Sequence, residues 1–142
     1  MTDVLCEFGM PGPLRDRLVA AVLRGEKTAT SSLLVEWEEE GEALPTAGQY
    51  QLVVDSGGRG VATIEVVQID VIRLGDADLR LAIDEGEQFE TVAQWREEHE
   101  RFWNENSLPN LPEHLGYSLT DDSLVVVERF RLVERESTPT SG

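Results

Sequence analysis

The sequence is poor in the residue types on which many functional sites depend. Among its 142 residues there are one cysteine and two histidines. Because Cys6 is alone, an intrachain disulfide is impossible, which agrees with a reducing compartment such as the cytoplasm. His99 and His114 lie too far apart along the chain to form a metal-binding pair on one helix, and no cysteine cluster supports them. We therefore expect neither a metal nor a cofactor.

Long hydrophobic runs and phosphate-binding loops are also missing. The longest apolar run is far shorter than the ~20 residues of a membrane-spanning helix, and the N-terminal segment does not resemble a signal peptide. Gly57-Gly58-Arg59-Gly60 has the spacing of neither a phosphate-binding loop nor a dinucleotide fingerprint. We expect a single cytoplasmic domain with no membrane association.

Positive charge is scarce as well. Lys and Arg number 12 against 28 Asp and Glu, which gives a formal net charge of -16. Proteins bind nucleic acids largely by neutralising phosphates, so DNA is not expected as a partner. A nucleoside is easier to accommodate than a long RNA unless arginines gather on one face, although excess acid also simply promotes solubility. The arginines to test for such a patch are Arg96, Arg101, Arg129 and Arg131.

Lys27 is the only lysine, and it precedes a run of hydroxyl side chains that includes Thr30 and Ser31. A lysine held neutral in a desolvated pocket can take a proton from a hydroxyl and make it a nucleophile. Nearby carboxylates oppose this because they favour the charged ammonium. The alternative from spacing alone is that Lys27 pairs with a carboxylate and Thr30 fills a structural position.

The pattern along the chain predicts an α+β fold. Pro13 and apolar residues four apart predict a helix that Gly25 ends. Residues 49–55 and 61–72 predict a hairpin, residues 76–85 a short helix, and Thr91 the cap of a further helix. The acidic run 38–42 and residues 104–117 are predicted to be loops, and residues 124–133 a final interior strand. Helices and strands in this order favour a small curled sheet or barrel with helices on its rim.

The segment Gly25-Glu26-Lys27-Thr28-Ala29-Thr30 has the pattern Gly-x-Lys-x-x-Thr. In this motif the sequence resembles the ASCH domain family. The likeness continues in an ordered set of segments: 32–37, 44–48, 62–66, 82–87, 95–103 and 121–133. It implies a PUA-like fold, a small β-barrel with flanking helices and a cleft at the barrel mouth. We expect an irregular lead-in over residues 1–12, one domain over 13–133 and a flexible tail over 134–142.

The resemblance also implies a site. One branch of the family consists of amidohydrolases that remove the acyl group from 4-acetylcytidine with a lysine, a threonine and a glutamate. These match Lys27 as base, Thr30 as nucleophile and Glu85 as acid, with Glu87 close enough to compete for the last role. A raised carboxyl pKa would suit that acid. The chain departs from those enzymes at Ser32, where they carry an arginine, and in its added Trp-Arg-His helix and proline-rich loop.

Further residues are candidates for contacts with the substrate. Trp37 and Trp103 are suited to stacking on a pyrimidine, and Arg96 and Arg129 to holding a ribose or phosphate, although core packing is an alternative for both tryptophans. The complete set of candidate substrate contacts is Ser31, Ser32, Trp37, Glu65, Arg96, His99, Trp103 and Arg129. For Glu65 and His99, a solvated carboxylate and a structural histidine are the alternatives.

Other branches of the family imply other functions. One is described as ribonucleases acting on single-stranded RNA, and others as RNA-binding modules without catalysis. Three hypotheses therefore remain open: a hydrolase of an acylated pyrimidine nucleoside, a metal-independent ribonuclease, and a non-catalytic RNA-binding or ligand-sensing module. The expected partner is a nucleoside or an RNA, and the sequence leaves the oligomeric state open.

Overall fold

A computed structural model describes residues 4–136 of the chain. This part forms five strands, four α-helices and three short 3-10 turns. The strands are β1 Val4–Cys6, β2 Ala29–Leu33, β3 Tyr50–Val54, β4 Gly60–Arg73 and β5 Leu124–Arg135. The helices are α1 Pro13–Leu23, α2 Leu34–Glu40, α3 Leu79–Asp84 and α4 Val92–Asn106.

The strands form one mixed sheet in the order β1-β3-β4-β5-β2. β1 runs parallel to β3, and the other neighbours are antiparallel. The register between β4 and β5 shifts twice, between Thr63 and Ile64 and between Val66 and Gln68. Such irregularities increase twist and bend a strand, so the long β4–β5 ribbon curls into a half-barrel. The predicted α+β, PUA-like class is therefore confirmed.

A separate hydrophobic core lies on each face of the curled sheet. On one face, α1 packs through Leu18 and Val22 against Phe8, Ile64 and Phe130. On the other face, α3 and α4 pack Leu81, Trp95 and Trp103 against Ala29, Val125 and Val127. Because β2 lies at the sheet edge, the segment just before it passes between the two cores, and that segment carries Lys27.

Local signals account for the helices that position this segment. α1 begins at Pro13, whose missing N–H is no loss in a first turn, and the chain leaves it through Gly25 at φ +77°. α4 begins after Thr91, whose hydroxyl accepts a hydrogen bond from the Gln94 amide at 3.1 Å. Both features agree with the sequence prediction.

Three segments differ from the prediction. The N-terminal segment that was predicted to be irregular contains strand β1. It forms a strand because its backbone pairs with β3 at the edge of the sheet. The acidic segment forms α2, since glutamates are good helix formers and Val35 and Trp37 are partly covered. β5 continues to Arg135, whose guanidinium donates to the Leu23 carbonyl, so the predicted tail begins as strand. The rest of that tail, residues 137–142, lies outside the described residues.

Among the helices of this part of the chain, none combines the length and apolar character that crossing a bilayer requires.

Candidate active site

A cleft of about 1240 Å³ opens beside β2, where the two cores approach each other. Its walls include Lys27, Thr30, Ser31, Glu85 and Glu128. They come from three segments far apart in sequence, namely residues 27–31, Glu85 and Glu128, so the fold brings them together. Concave sites with a few converging polar groups are typical of small-molecule binding.

Lys27 lies at the base of this cleft with 2% of its surface exposed. Its Nζ donates to the Ala29 carbonyl at 2.9 Å and to the Glu85 carbonyl at 3.1 Å, and lies 3.8 Å from Glu85 Oε1. The ring of Phe8 covers it at 5.3 Å from the ring centroid. Every polar neighbour is an acceptor, which suits an ammonium with three N–H donors rather than the neutral amine expected of a base.

The contact between Lys27 and Glu85 depends on a close approach of two backbones. The Thr28 amide donates to the Asp84 carbonyl at 2.7 Å, which docks the start of β2 against the end of α3. Gly86 follows at φ +73°, and a Cβ added there would lie 2.7 Å from the Cα of Lys27. Glycine is therefore the residue that lets Glu85 reach Lys27.

We predict that Gly86→Ala destabilises the protein by about 3 kcal/mol or more, because left-handed backbone strain and a backbone clash add together. Gly41→Ala is the matched control, since Gly41 has φ +67° and a Cβ added there would meet nothing within 4 Å. It should cost about 1–2 kcal/mol from backbone strain alone. Urea unfolding of both variants checks this, and equal losses would contradict the close-approach argument.

Glu85 is the most heavily bonded carboxylate of the cleft. Oε2 accepts hydrogen bonds from the Ser31 hydroxyl at 2.8 Å and from Trp95 Nε1 at 2.5 Å. Oε1 lies 3.1 Å from His99 Nε2. Glu85 is 2% exposed, so these partners replace its lost hydration. Of the two competing glutamates, Glu85 is therefore the one that contacts Lys27.

These partners keep Glu85 ionised. Burial alone would raise the pKa of Glu85, but the charge and hydrogen bond of His99, the charge of Lys27 and the Trp95 hydrogen bond lower it to about 2. This differs from the raised pKa that would suit an acid, because the role of acid was expected from the amidohydrolase branch, to which this chain adds the helix that supplies Trp95 and His99. A carboxylate this acidic is a fixed charge at neutral pH.

His99 completes the assembly from α4. Its Nδ1 lies 2.8 Å from the Trp95 carbonyl, which can only accept, so Nδ1 carries a hydrogen. Its Nε2 faces Glu85, and its ring stacks on that of Trp95 with centroids 4.3 Å apart. An imidazolium satisfies both contacts. His99 was expected to contact substrate, whereas both ring nitrogens are already engaged in holding Glu85.

The Glu85–His99 pair predicts a pH dependence of stability. Burial lowers the pKa of His99, but the charge of Glu85 and the hydrogen bonds to Glu85 and the Trp95 carbonyl raise it further, above the usual 6.5. The stabilisation from His99 is thus complete below pH 6.5 and is lost as pH rises through the folded-state pKa. The stabilisation from Glu85 is complete above 4.5 and is lost as pH falls toward 2.

We therefore expect the stability difference between the wild type and His99→Gln to be largest near about pH 5.5 and to shrink toward about pH 9. Thermal unfolding of both proteins across this range measures it. A difference that grows with pH would contradict an imidazolium paired with Glu85.

Thr30 lies on the opposite side of β2 from Ser31, because successive strand residues alternate faces. It pairs in register with Glu128 of β5, and both residues line the cleft. Ser31 faces Glu85, so the structure ties Glu85 to Ser31 rather than to Thr30. The two hydroxyls thus lie on opposite faces of β2, with Ser31 bonded to Glu85 and Thr30 directly across from Glu128.

Three other predicted contacts also line the cleft. Ser32 accepts a hydrogen bond from Trp37 Nε1 at 2.9 Å, which orients the half-buried Trp37 ring. Trp103 is 2% exposed and meets Trp95 edge-on, so it belongs mainly to the core. Trp37 is therefore the more accessible aromatic surface of the two.

The remaining predicted contacts lie elsewhere. Glu65, Arg96 and Arg129 are not among the residues that line the cleft. Glu65 pairs with Arg131, Arg96 with Glu100 and Asp121, and Arg129 with Asp84. Long arginine side chains reach the nearest carboxylate in so acidic a protein. The four arginines considered for an RNA patch, Arg96, Arg101, Arg129 and Arg131, each pair with acid.

Two important residues were not identified from the sequence. Trp95 was assigned to the core only, although its spacing of four from His99 on one helix indicated a contact. Glu128 follows three valines in an interior strand, where a charge is unusual and therefore informative.

Glu85, Glu87 and His99 could in principle hold a metal ion, since one ligand atom from each lies within 4.8 Å of the others. A metal would, however, have to displace the hydrogen bonds that Glu85 and His99 already make. The donor set fits the observed ion-pair assembly better.

Comparisons with known proteins agree with this architecture. A family model described as an ASCH domain matches residues 5–134. Protein EF3133 from Enterococcus faecalis V583 is 32% identical, with a TM-score of 0.81, over 95% of this chain and 78% of its own. An ASCH domain from Lactobacillus crispatus JV V101 is 28% identical, with a TM-score of 0.72, over 83% of this chain and 71% of its own.

A more distant structure, a mutant of the ZmASCH protein from Zymomonas mobilis, is 11% identical with a TM-score of 0.50 over 85% of this chain and 69% of its own. At that identity the likeness concerns the fold alone. A search of curated proteins returned no match.

Proposed function

The chain belongs to the ASCH domain family, and from that premise we propose that it hydrolyses an acylated pyrimidine nucleoside such as 4-acetylcytidine. The substrate class comes from the amidohydrolase branch that the motif around Lys27 and Thr30 resembles. The sequence departs from that branch at Ser32, so the proposal rests on the geometry of the cleft as well as on the motif.

The observation that carries the proposal is the buried ion pair at the base of the cleft. Lys27 and Glu85 are each 2% exposed and lie 3.8 Å apart. Burying two charges is costly, and hydrophobic residues of similar size often stabilise a fold as well or better. A buried ion pair in a concave site is therefore a candidate for chemistry.

In the proposed reaction, the Thr30 hydroxyl attacks the carbonyl carbon of the acyl group. The bond between that carbon and the exocyclic nitrogen breaks, cytidine leaves, and water hydrolyses the resulting Thr30 ester to release acetate. The positive charge of Lys27 stabilises the negative charge that develops on the carbonyl oxygen. Glu85 and His99 hold Lys27 in place, and Trp37 offers a face on which the pyrimidine can stack.

The charge of the cleft supports a nucleoside over RNA. Glu36 and Glu40 of α2, together with Glu87, Glu98 and Glu105, line its walls. Against them stand Lys27, Arg17 and Arg101, and Arg101 is already paired with Glu98. A polyphosphate chain would meet repulsion along these walls. We propose that the partner is the free nucleoside and that the protein acts in the cytoplasm.

A substrate panel with mass-spectrometric detection tests the function. The panel contains 4-acetylcytidine, its 5′-monophosphate and a labelled single-stranded RNA. We expect cytidine and acetate in equal amounts from the nucleoside, and no cleavage of the RNA. Cleavage of the RNA that disappears in Lys27→Ala would instead identify a ribonuclease. Binding without turnover of any compound would identify a ligand-sensing module.

A further inference from the structure

The proposed reaction needs a group that takes the proton of Thr30, and the ion-pair assembly does not supply one. Lys27 Nζ is surrounded by the Ala29 carbonyl, the Glu85 carbonyl and the Glu85 carboxylate, all acceptors. Both carboxylate oxygens of Glu85 are engaged by Ser31, Trp95 and His99. Glu85 also lies on the far side of β2 from Thr30.

Glu128 lies where such a group is needed. In the antiparallel β2–β5 pair, Glu128 is directly opposite Thr30. Directly opposed residues project to the same face with Cβ atoms about 4.5–5.5 Å apart, which is within reach of a glutamate side chain. The adjacent pairs, Ala29 with Arg129 and Ser31 with Val127, project to the other face. Both Thr30 and Glu128 line the cleft.

We propose that Glu128 is the general base and acid of the proposed deacylation. This inference rests on the proposed function. The Glu128 carboxylate takes the Thr30 proton as Oγ1 bonds to the acyl carbon, and gives it to the departing exocyclic nitrogen as the carbon–nitrogen bond breaks. It then takes a proton from the attacking water and returns one to Thr30 as the ester bond breaks. No proton is gained or lost by Glu128 over the cycle.

The surroundings of Glu128 suit this role. Burial raises its pKa, and the side-chain amide of Gln51 of β3 and the charge of Lys27 offset only part of that rise. A further titratable group near Glu128 is Cys6 of β1, whose thiol pKa burial raises to about 12, so that it stays neutral. Two carboxyls of one site, Glu85 and Glu128, are thus driven in opposite directions, a pattern that separates a fixed charge from a proton carrier.

The test is the pH dependence of kcat/KM for 4-acetylcytidine in the wild type, Glu128→Gln and Glu134→Gln. Glu128→Gln should lower kcat/KM by about 100-fold or more and remove the acidic limb of the profile. Glu134 is the matched control, because it is another glutamate of β5 but is exposed and does not line the cleft. Its variant should keep the limb and stay within about threefold of the wild-type rate.

A second variant keeps Glu128 in place. Gln51→Met removes the amide that favours the ionised carboxylate, so the acidic limb should move to higher pH. If the wild type hydrolyses the nucleoside and Glu128→Gln keeps both the wild-type kcat/KM and the acidic limb of the pH profile, the role of Glu128 is overturned. The proposed function is then unaffected. If the acidic limb of the Gln51→Met profile lies at the same pH as in the wild type, the role of Glu128 is also overturned. No hydrolysis of the nucleoside by the wild type overturns both proposals.

Discussion

Lys27→Met is expected to lower kcat/KM for 4-acetylcytidine by about 100–1000-fold, the usual cost of removing one preorganised charge or donor from a reaction centre. Methionine has nearly the length of the lysine stem and suits an apolar site. The variant therefore removes the charge at the Ala29 and Glu85 carbonyls while filling the same space.

Lys27→Arg distinguishes charge from geometry. Arginine keeps the positive charge, but its planar fork cannot place one nitrogen between the two carbonyls as an ammonium does. We expect an intermediate loss of activity in this variant. Arg24→Met is the matched control for loss of a positive charge, since Arg24 is exposed and pairs with Glu26 outside the cleft. Steady-state kinetics with a thermal scan of each variant makes the comparison, and equal activity in Lys27→Met and the wild type would contradict a catalytic role.

Glu85→Ala is expected to destabilise the protein by about 3–5 kcal/mol, the range for removing one partner of a buried ion pair. The substitution leaves the Lys27 ammonium, 2% exposed, without its carboxylate, and it leaves Trp95 Nε1 without its acceptor. For a domain of this size we expect the Tm to fall by roughly 10–17 °C. Thermal unfolding by circular dichroism measures the change.

Two further variants serve as comparisons for Glu85→Ala. Glu87→Ala removes a neighbouring glutamate. Burial raises the pKa of Glu87, so its ionised form is less well stabilised than that of Glu85. The substitution should therefore lower the free energy of unfolding by less than about 1 kcal/mol. Glu85→Gln keeps the shape and part of the hydrogen bonding, and should fall between the other two. If Glu85→Ala and Glu87→Ala unfold at the same temperature, the buried assembly does not stabilise the fold as its contacts indicate.

The parts of the fold that the sequence predicted are those with local signals. Pro13 and Gly25 bound α1, Thr91 caps α4, and the turn at residues 55–58 joins β3 to β4. Helix α2 was not predicted, because a run of glutamates is compatible with both a solvated loop and a helix. What decides between them is the partial burial of Val35 and Trp37, which depends on the tertiary structure.

The candidate site was only partly predictable. The hydrogen bond from Lys27 to Glu85 spans 58 residues, and no local pattern encodes it, so the family resemblance alone suggested that pairing. Arg129 and Glu65 were expected in the cleft, but the face on which a strand residue lies depends on register, which the two shifts between β4 and β5 alter. The separate register between β2 and β5 places Glu128 opposite Thr30, which spacing alone could not show.

The proposed function depends most on the buried Lys27–Glu85 pair being the centre of a deacylation site. The most direct measurement is a single-turnover experiment in which excess protein is mixed with 4-acetylcytidine and cytidine is quantified over time. We expect complete conversion by the wild type and at least about 100-fold slower conversion by Lys27→Met under the same conditions. Unchanged 4-acetylcytidine in the wild-type reaction, or equal rates for the two proteins, would contradict it.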